Sequence, residues 1–208
     1  LIFFLFLSPS LTYAEGSLMH NVGKVDMLVS DWGAFTRIDE GGNVQPNFGY
    51  SGKDYLDPFS EVWAGDSSGN VASAYDGSDE GIFTGEWQVT GELEYIPDHP
   101  NASQCIHTQY APHQQSDLPF RITIDQYTYA WDSTVYPDDD DYIIMKLILT
   151  NVGESDLEDF FLAVQTNWDV DYMDEKDDLM DWDVERRAGI AYDSDGNNPM
   201  YVALALID

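Results

Sequence analysis

Basic residues are scarce in this chain. Eight Lys and Arg stand against 39 Asp and Glu in 208 residues, a formal net charge of −31. Nucleic acid demands a basic stripe that displaces counterions, and an anionic membrane surface would repel this protein. The charge balance argues against both as partners. Cysteine is scarcer still: Cys105 is the only one, so no disulfide framework exists and packing, with or without metal ions, must hold the fold. Also missing is any stretch of a dozen residues with a clean 3.6-residue apolar period. There is no Gly-x-Ser-x-Gly elbow, no His-Glu-x-x-His pair and no Gly-rich phosphate cradle. The four histidines, His20, His99, His107 and His113, follow no zinc spacing.

What is present points to a folded domain. Hydrophobic residues make up 43 % of the chain and aromatic residues 14 %, too rich for a disordered acidic tail. Alternating apolar and polar residues, bounded by Gly, Asn, Asp and Pro, predict strands over 25–30, 61–64, 71–75, 86–96, 120–131, 142–151, 159–171, 188–192 and 200–207. The fold class expected is all-β, an antiparallel β-sandwich in one domain, with a boundary near residue 100 as the alternative. In 142–151, Ile143, Met145, Leu147 and Leu149 share one face and Ile144, Lys146, Ile148 and Thr150 the other. That strand is expected to be central and covered on both sides, and to form a hairpin with 159–171. Residues 98–119, polar and Pro-rich, are expected to form a long loop or an excursion at the edge of the domain.

The run Leu1-Ile2-Phe3-Phe4-Leu5-Phe6-Leu7, followed by Ser8-Pro9-Ser10-Leu11-Thr12-Tyr13-Ala14, reads as a partial secretory signal peptide (1–14) with cleavage after Ala14. A membrane span needs about 20 apolar residues, more than this run supplies. The expectation is an exported protein, secreted or at the cell surface, with residues 15–208 as the visible part of a domain truncated at both ends.

Two groups of short motifs occur together. The first is His20-Asn21-Val22-Gly23-Lys24-Val25, Ser30-Asp31-Trp32-Gly33-Ala34-Phe35, Tyr55-Leu56 and Glu61-Val62-Trp63-Ala64-Gly65. The second is Gln126-Tyr127-Thr128-Tyr129-Ala130-Trp131, Asp141-Tyr142-Ile143-Ile144, Thr150-Asn151-Val152-Gly153, Leu157-Glu158-Asp159 and Asp169-Val170-Asp171. Their order resembles the N-terminal region of large exported proteins of Gram-negative bacteria, Bacteroidetes-like groups among them. Those proteins often end in an Ig-like module or a type IX secretion sorting domain. The resemblance implies export, a β-rich fold and further domains of the same polypeptide as partners; it implies no activity and no catalytic residues.

The densest acidic region is 169–183. Asp169, Asp171, Asp174, Asp177, Asp178 and Asp181 are the candidate metal ligands, arranged as a strand end feeding an acidic loop. Calcium takes six to eight oxygen ligands in flexible geometry, which suits such a segment, and a solvated acidic loop is the alternative. Residues 193–198 open like a calcium loop but lack its distal Glu, so a hairpin turn is expected there. Asp138-Asp139-Asp140-Asp141 is expected to be a solvated loop tip. Trp182, between Asp181 and Asp183, is the candidate ligand-binding ring for a glycan. The function expected is non-catalytic: adhesion, assembly or glycan contact in a larger surface or secreted protein, with calcium as the ion that stabilises it. The alternative is a fragment of an exported carbohydrate-active hydrolase working through a carboxylate pair. The acidic surface also suits a saline habitat.

Overall fold

Strands dominate because β-branched, aromatic and aliphatic residues alternate with polar ones along most of the chain. The computed structural model describes residues 16–35, 37–38, 44–45, 48–55, 60–74, 86–113, 117–136, 138–170, 178–193 and 201–207. In chain order the strands are β1 (Ser17–His20), β2 (Val25–Ser30), β3 (Arg37–Ile38), β4 (Val44–Gln45), β5 (Phe48–Tyr50) and β6 (Lys53–Asp54). β7 (Glu61–Asp66), β8 (Val71–Ala72), β9 (Trp87–Val89), β10 (Glu94–Tyr95), β11 (Gln104–Pro112) and β12 (Ile122–Ala130) follow. The last are β13 (Ile144–Asn151), β14 (Phe160–Gln165), β15 (Asp178–Asp183), β16 (Ala188–Asp193) and β17 (Tyr201–Ala205). The protein is all-β and sandwich-like, with antiparallel sheets.

A five-stranded sheet runs β10-β11-β12-β13, with β9 also paired to β11. Facing it is the three-stranded sheet β14-β7-β8. Between them lies the main core, with Val62 and Ala64 from β7, Tyr110 from β11 and Ile122 and Ile124 from β12. Two contacts tie the layers. The Trp87 indole N–H donates to the Val62 carbonyl at 3.0 Å, and Phe120 meets Phe160 edge-on at 5.1 Å. A four-stranded sheet β1-β2-β5-β6 joins this frame, and a three-stranded sheet β15-β16-β17 closes a second, smaller cluster of Tyr55, Val170, Ala191 and Val202.

Three expectations need correcting. Residues 98–119 are not a long loop: β11 occupies their middle and pairs with three strands. Its inward side chains Ile106, Thr108 and Tyr110 are fully buried, but the other face carries His107 and Gln109 between Cys105 and Ala111, and Thr108 breaks the apolar pattern. Second, β13 and β14 form no hairpin. β13 pairs with β12 and β14 with β7, so residues 152–159 carry the chain from one layer to the other. Third, β13 is an edge strand. Its Met145, Leu147 and Leu149 face the core as read, whereas Lys146, Ile148 and Thr150 are exposed.

Candidate functional site

The acidic region 169–183 is not one loop: its last six residues are β15. Antiparallel pairing puts Asp178 opposite Asp193, Met180 opposite Ala191 and Trp182 opposite Gly189. Opposite residues share a face of the sheet, and residues three apart on a strand do not. Asp178, Met180 and Trp182 therefore share one face, and Asp181 lies on the other.

Asp169 is buried, and its N–H donates to the Tyr55 carbonyl at 3.0 Å. The neighbouring Val170 N–H donates to Asp178 Oδ2 at 2.9 Å. The other Asp178 oxygen, Oδ1, is buried without a hydrogen-bond partner among the described residues. Asp193, across the ladder, is buried too. Asp171, Asp174 and Asp177 lie outside the described residues. Among the described residues, no three His, Cys, Asp or Glu side chains converge as a metal centre. Asp178 fits an oxygen-seeking cation in one respect, its unpartnered buried oxygen. Asp193 closes β16, which pairs antiparallel with β17; residues 194–198, read as the turn between them, also lie outside the described set.

Trp182 has 57 % of its surface exposed. Across the ladder its ring lies over Gly189: a Cβ placed there would stand 3.9 Å from Cε3 and 4.0 Å from Cζ3. A glycine beneath an aromatic ring on a sheet lets the ring lie down over the backbone. The ring is thus held from below and open to solvent. Asp183 is bound by Arg186, which donates to it from its backbone N–H at 2.9 Å and its guanidinium at 2.6 Å. Those bonds hold the Asp183 carboxyl below its usual range.

A second feature was not legible in the sequence. An open cleft of about 330 Å³ is lined by Gly69, Asn70, Val71, Glu86, Asp117 and Leu118. Burial pushes the Glu86 carboxyl above its ordinary value, opposed by the Ser73 N–H that donates to Oε2 at 3.3 Å. Glu86 immediately precedes β9 and Asp117 lies in the segment leading into β12, so two separate parts of the chain line one cleft.

The remaining candidates have structural partners. Asp140 is buried, not solvated as read, and accepts from Lys24 Nζ at 2.9 Å. His107 bonds Asp125 at 3.1 Å and stacks on Tyr127 at 4.4 Å. Cys105 is buried, and burial pushes its thiol up, away from the reactive thiolate. No helix of the described residues is long and apolar enough to cross a membrane. Comparison with known protein families, with curated proteins and with solved structures finds no match to this chain.

Proposed function

We propose that this chain is an exported, non-catalytic β-sandwich domain of a larger surface or secreted protein, and that it contacts glycan through Trp182. One observation carries the reading: the Trp182 ring, laid over Gly189, leaves a broad apolar surface in solvent on a protein of strongly acidic surface. The apolar face of a pyranose stacks on such a ring, and carboxylates accept from the sugar hydroxyls around it. Export is supported by the signal-like run 1–14, and the wider protein by the resemblance of residues 20–207 to the N-terminal region of large exported bacterial proteins. The high negative charge favours neutral over anionic glycans.

Electrophoresis through gels cast with neutral polysaccharides tests the reading. Retardation that Trp182→Ala weakens at least about tenfold, equivalent to about 1.4 kcal/mol, is the expected result. No retardation in any neutral polysaccharide, or equal retardation of the variant, overturns glycan contact at this ring.

Calcium belongs to the same reading. Asp178, with its unpartnered oxygen, and the buried Asp169 are the described residues that would hold it, and the ion would neutralise carboxylates crowded at 169–183. At a calcium concentration of about 100 Kd the native state gains about 2.7 kcal/mol. An unchanged melting midpoint in calcium, with magnesium as control, removes the ion from the proposal.

The Glu86–Asp117 cleft favours the alternative, a carbohydrate-active hydrolase. Two carboxylates lining one cleft, Glu86 raised by burial, are the residue types that acid and base roles require. Release of reducing sugar that Glu86→Gln abolishes would select it over the non-catalytic reading.

A further inference from the structure

We infer that the inner face of the five-stranded sheet holds a bound water molecule between Thr108 and Gln126. The two residues are direct partners in the β11–β12 ladder, and both are fully buried. Their side chains share the inward face with Ile106, Tyr110, Ile124 and Thr128, so none of their polar atoms reaches bulk solvent. The Tyr110 hydroxyl donates to Gln126 Oε1 at 2.9 Å. In this arrangement the amide oxygen faces the tyrosine and the NH2 faces away.

Two polar groups are then left over on directly paired residues. Gln126 Nε2 and Thr108 Oγ1 are both buried without a hydrogen-bond partner. Buried polar groups in native proteins are almost always paired, and ordered water supplies the partner where protein does not. The two leftovers are complementary to one water. Nε2 has only hydrogens to give, and a hydroxyl both gives and accepts. The amide donates to the water oxygen, the water donates to Oγ1, and the threonine hydrogen rotates to suit. The site continues a polar seam through an otherwise apolar layer, where His20 bonds Thr128 at 2.7 Å and Gln104 at 3.0 Å. The ligand class is a single neutral hydrogen-bonding molecule of water size, sealed from solvent by the apolar side chains around it.

Nuclear Overhauser contacts between water and the Gln126 side-chain NH2, measured on the whole isotope-labelled chain, test the site. The expected result is a cross-peak from the Gln126 amide hydrogens to a long-lived water, and its loss in Thr108→Val, which keeps the shape and removes the hydroxyl. A wild-type chain with no water contact at this amide overturns the inference, and so does a direct bond between the Gln126 amide, in either orientation, and the Thr108 hydroxyl. So does a cross-peak unchanged in Thr108→Val. If that variant does not fold, the wild-type measurement decides alone.

Discussion

Phe48 meets the ring of Trp168 edge-on, with centroids 5.4 Å apart and planes at 77°. Among the described residues, these two side chains are the ones that pack against both apolar clusters, the main core and the smaller one around Tyr55 and Val170. They couple the sheet β15-β16-β17 to the rest of the protein. Trp168→Ala should cost about 3 kcal/mol, the low end for a large aromatic because the ring is only partly buried. A double-mutant cycle with Phe48→Ala should show about 1 kcal/mol of coupling. Urea unfolding measures both. Zero coupling would mean that the clusters are energetically separate.

His20 makes stability depend on pH in a defined direction. Gln104 Oε1 accepts from Nδ1–H, so Nε2 is left to accept from the Thr128 hydroxyl. The ring is fully buried, and burial pushes its pKa from 6.5 down to about 4, against the raising effect of the Gln104 bond. Above pH 6.5 neither folded nor unfolded chain carries the proton. As pH falls from 6.5 to 4 the unfolded chain binds it first, so stability drops, by about 3 kcal/mol at most. The carboxylates also titrate in this range, and protonation relieves their mutual repulsion, so the contrast with His20→Gln isolates the histidine. The wild type should lose more stability than the variant between pH 7 and pH 4, as read from urea midpoints; parallel pH profiles would contradict it.

Legibility in the sequence followed the contrast between the two faces of each strand. β2, at 25–30, and the core row Met145, Leu147 and Leu149 were readable because an apolar residue stands at every second position, Val25, Met27 and Val29 in the first and the three named in the second. β11 was not, since its buried positions hold Thr108 beside Ile106 and Tyr110, and its outward row holds His107 and Gln109. The usable signal was the β-forming series Ile106, Thr108, Tyr110 at every second position. The hairpin expected between β13 and β14 failed for a different reason. Pairing partners depend on distant strands, β12 and β7, which a short connection cannot report. At the candidate site, Trp182 could be read as exposed from its acidic neighbours, whereas Gly189 beneath it follows only from the register.

Gly23 and Lys24 fasten the loop before β2 to the acidic loop before β13. Gly23 has φ of +78°, and a Cβ there would lie 2.5 Å from the Trp131 carbonyl and 2.8 Å from that of Asp140. Both neighbours are backbone, so neither can move aside. Gly23→Ala should therefore destabilise by about 2 kcal/mol or more, through strain and collision together. Lys24→Ala should cost less, because the Lys24 N–H still donates to the Asp140 carbonyl at 2.8 Å and the Lys24 end of the lost ion pair is half exposed, though its partner Asp140 is buried. Thermal melting of the two variants should rank them in that order, and the reverse order would show that the ion pair is the real fastener.

The net charge of −31 leads to the last prediction. Self-repulsion among carboxylates works against the folded state more than the unfolded one, because folding brings the charges closer. Salt shortens the reach of that repulsion, from about 30 Å at 0.01 M to about 3 Å at 1 M. The ion pairs seen among the described residues, such as Lys24–Asp140 and Arg186–Asp183, would be weakened by the same screening. They are few against 39 acidic residues, so the repulsive part dominates. Melting midpoints should rise steadily along a sodium chloride series, and the rise should shrink at low pH, where the carboxylates are neutral. Calcium held at constant ionic strength separates the two effects: a site-bound ion raises the midpoint at concentrations too low to screen, and it does so far more than magnesium. A midpoint that stays flat or falls with sodium chloride would mean that the acidic surface imposes no net strain on the fold.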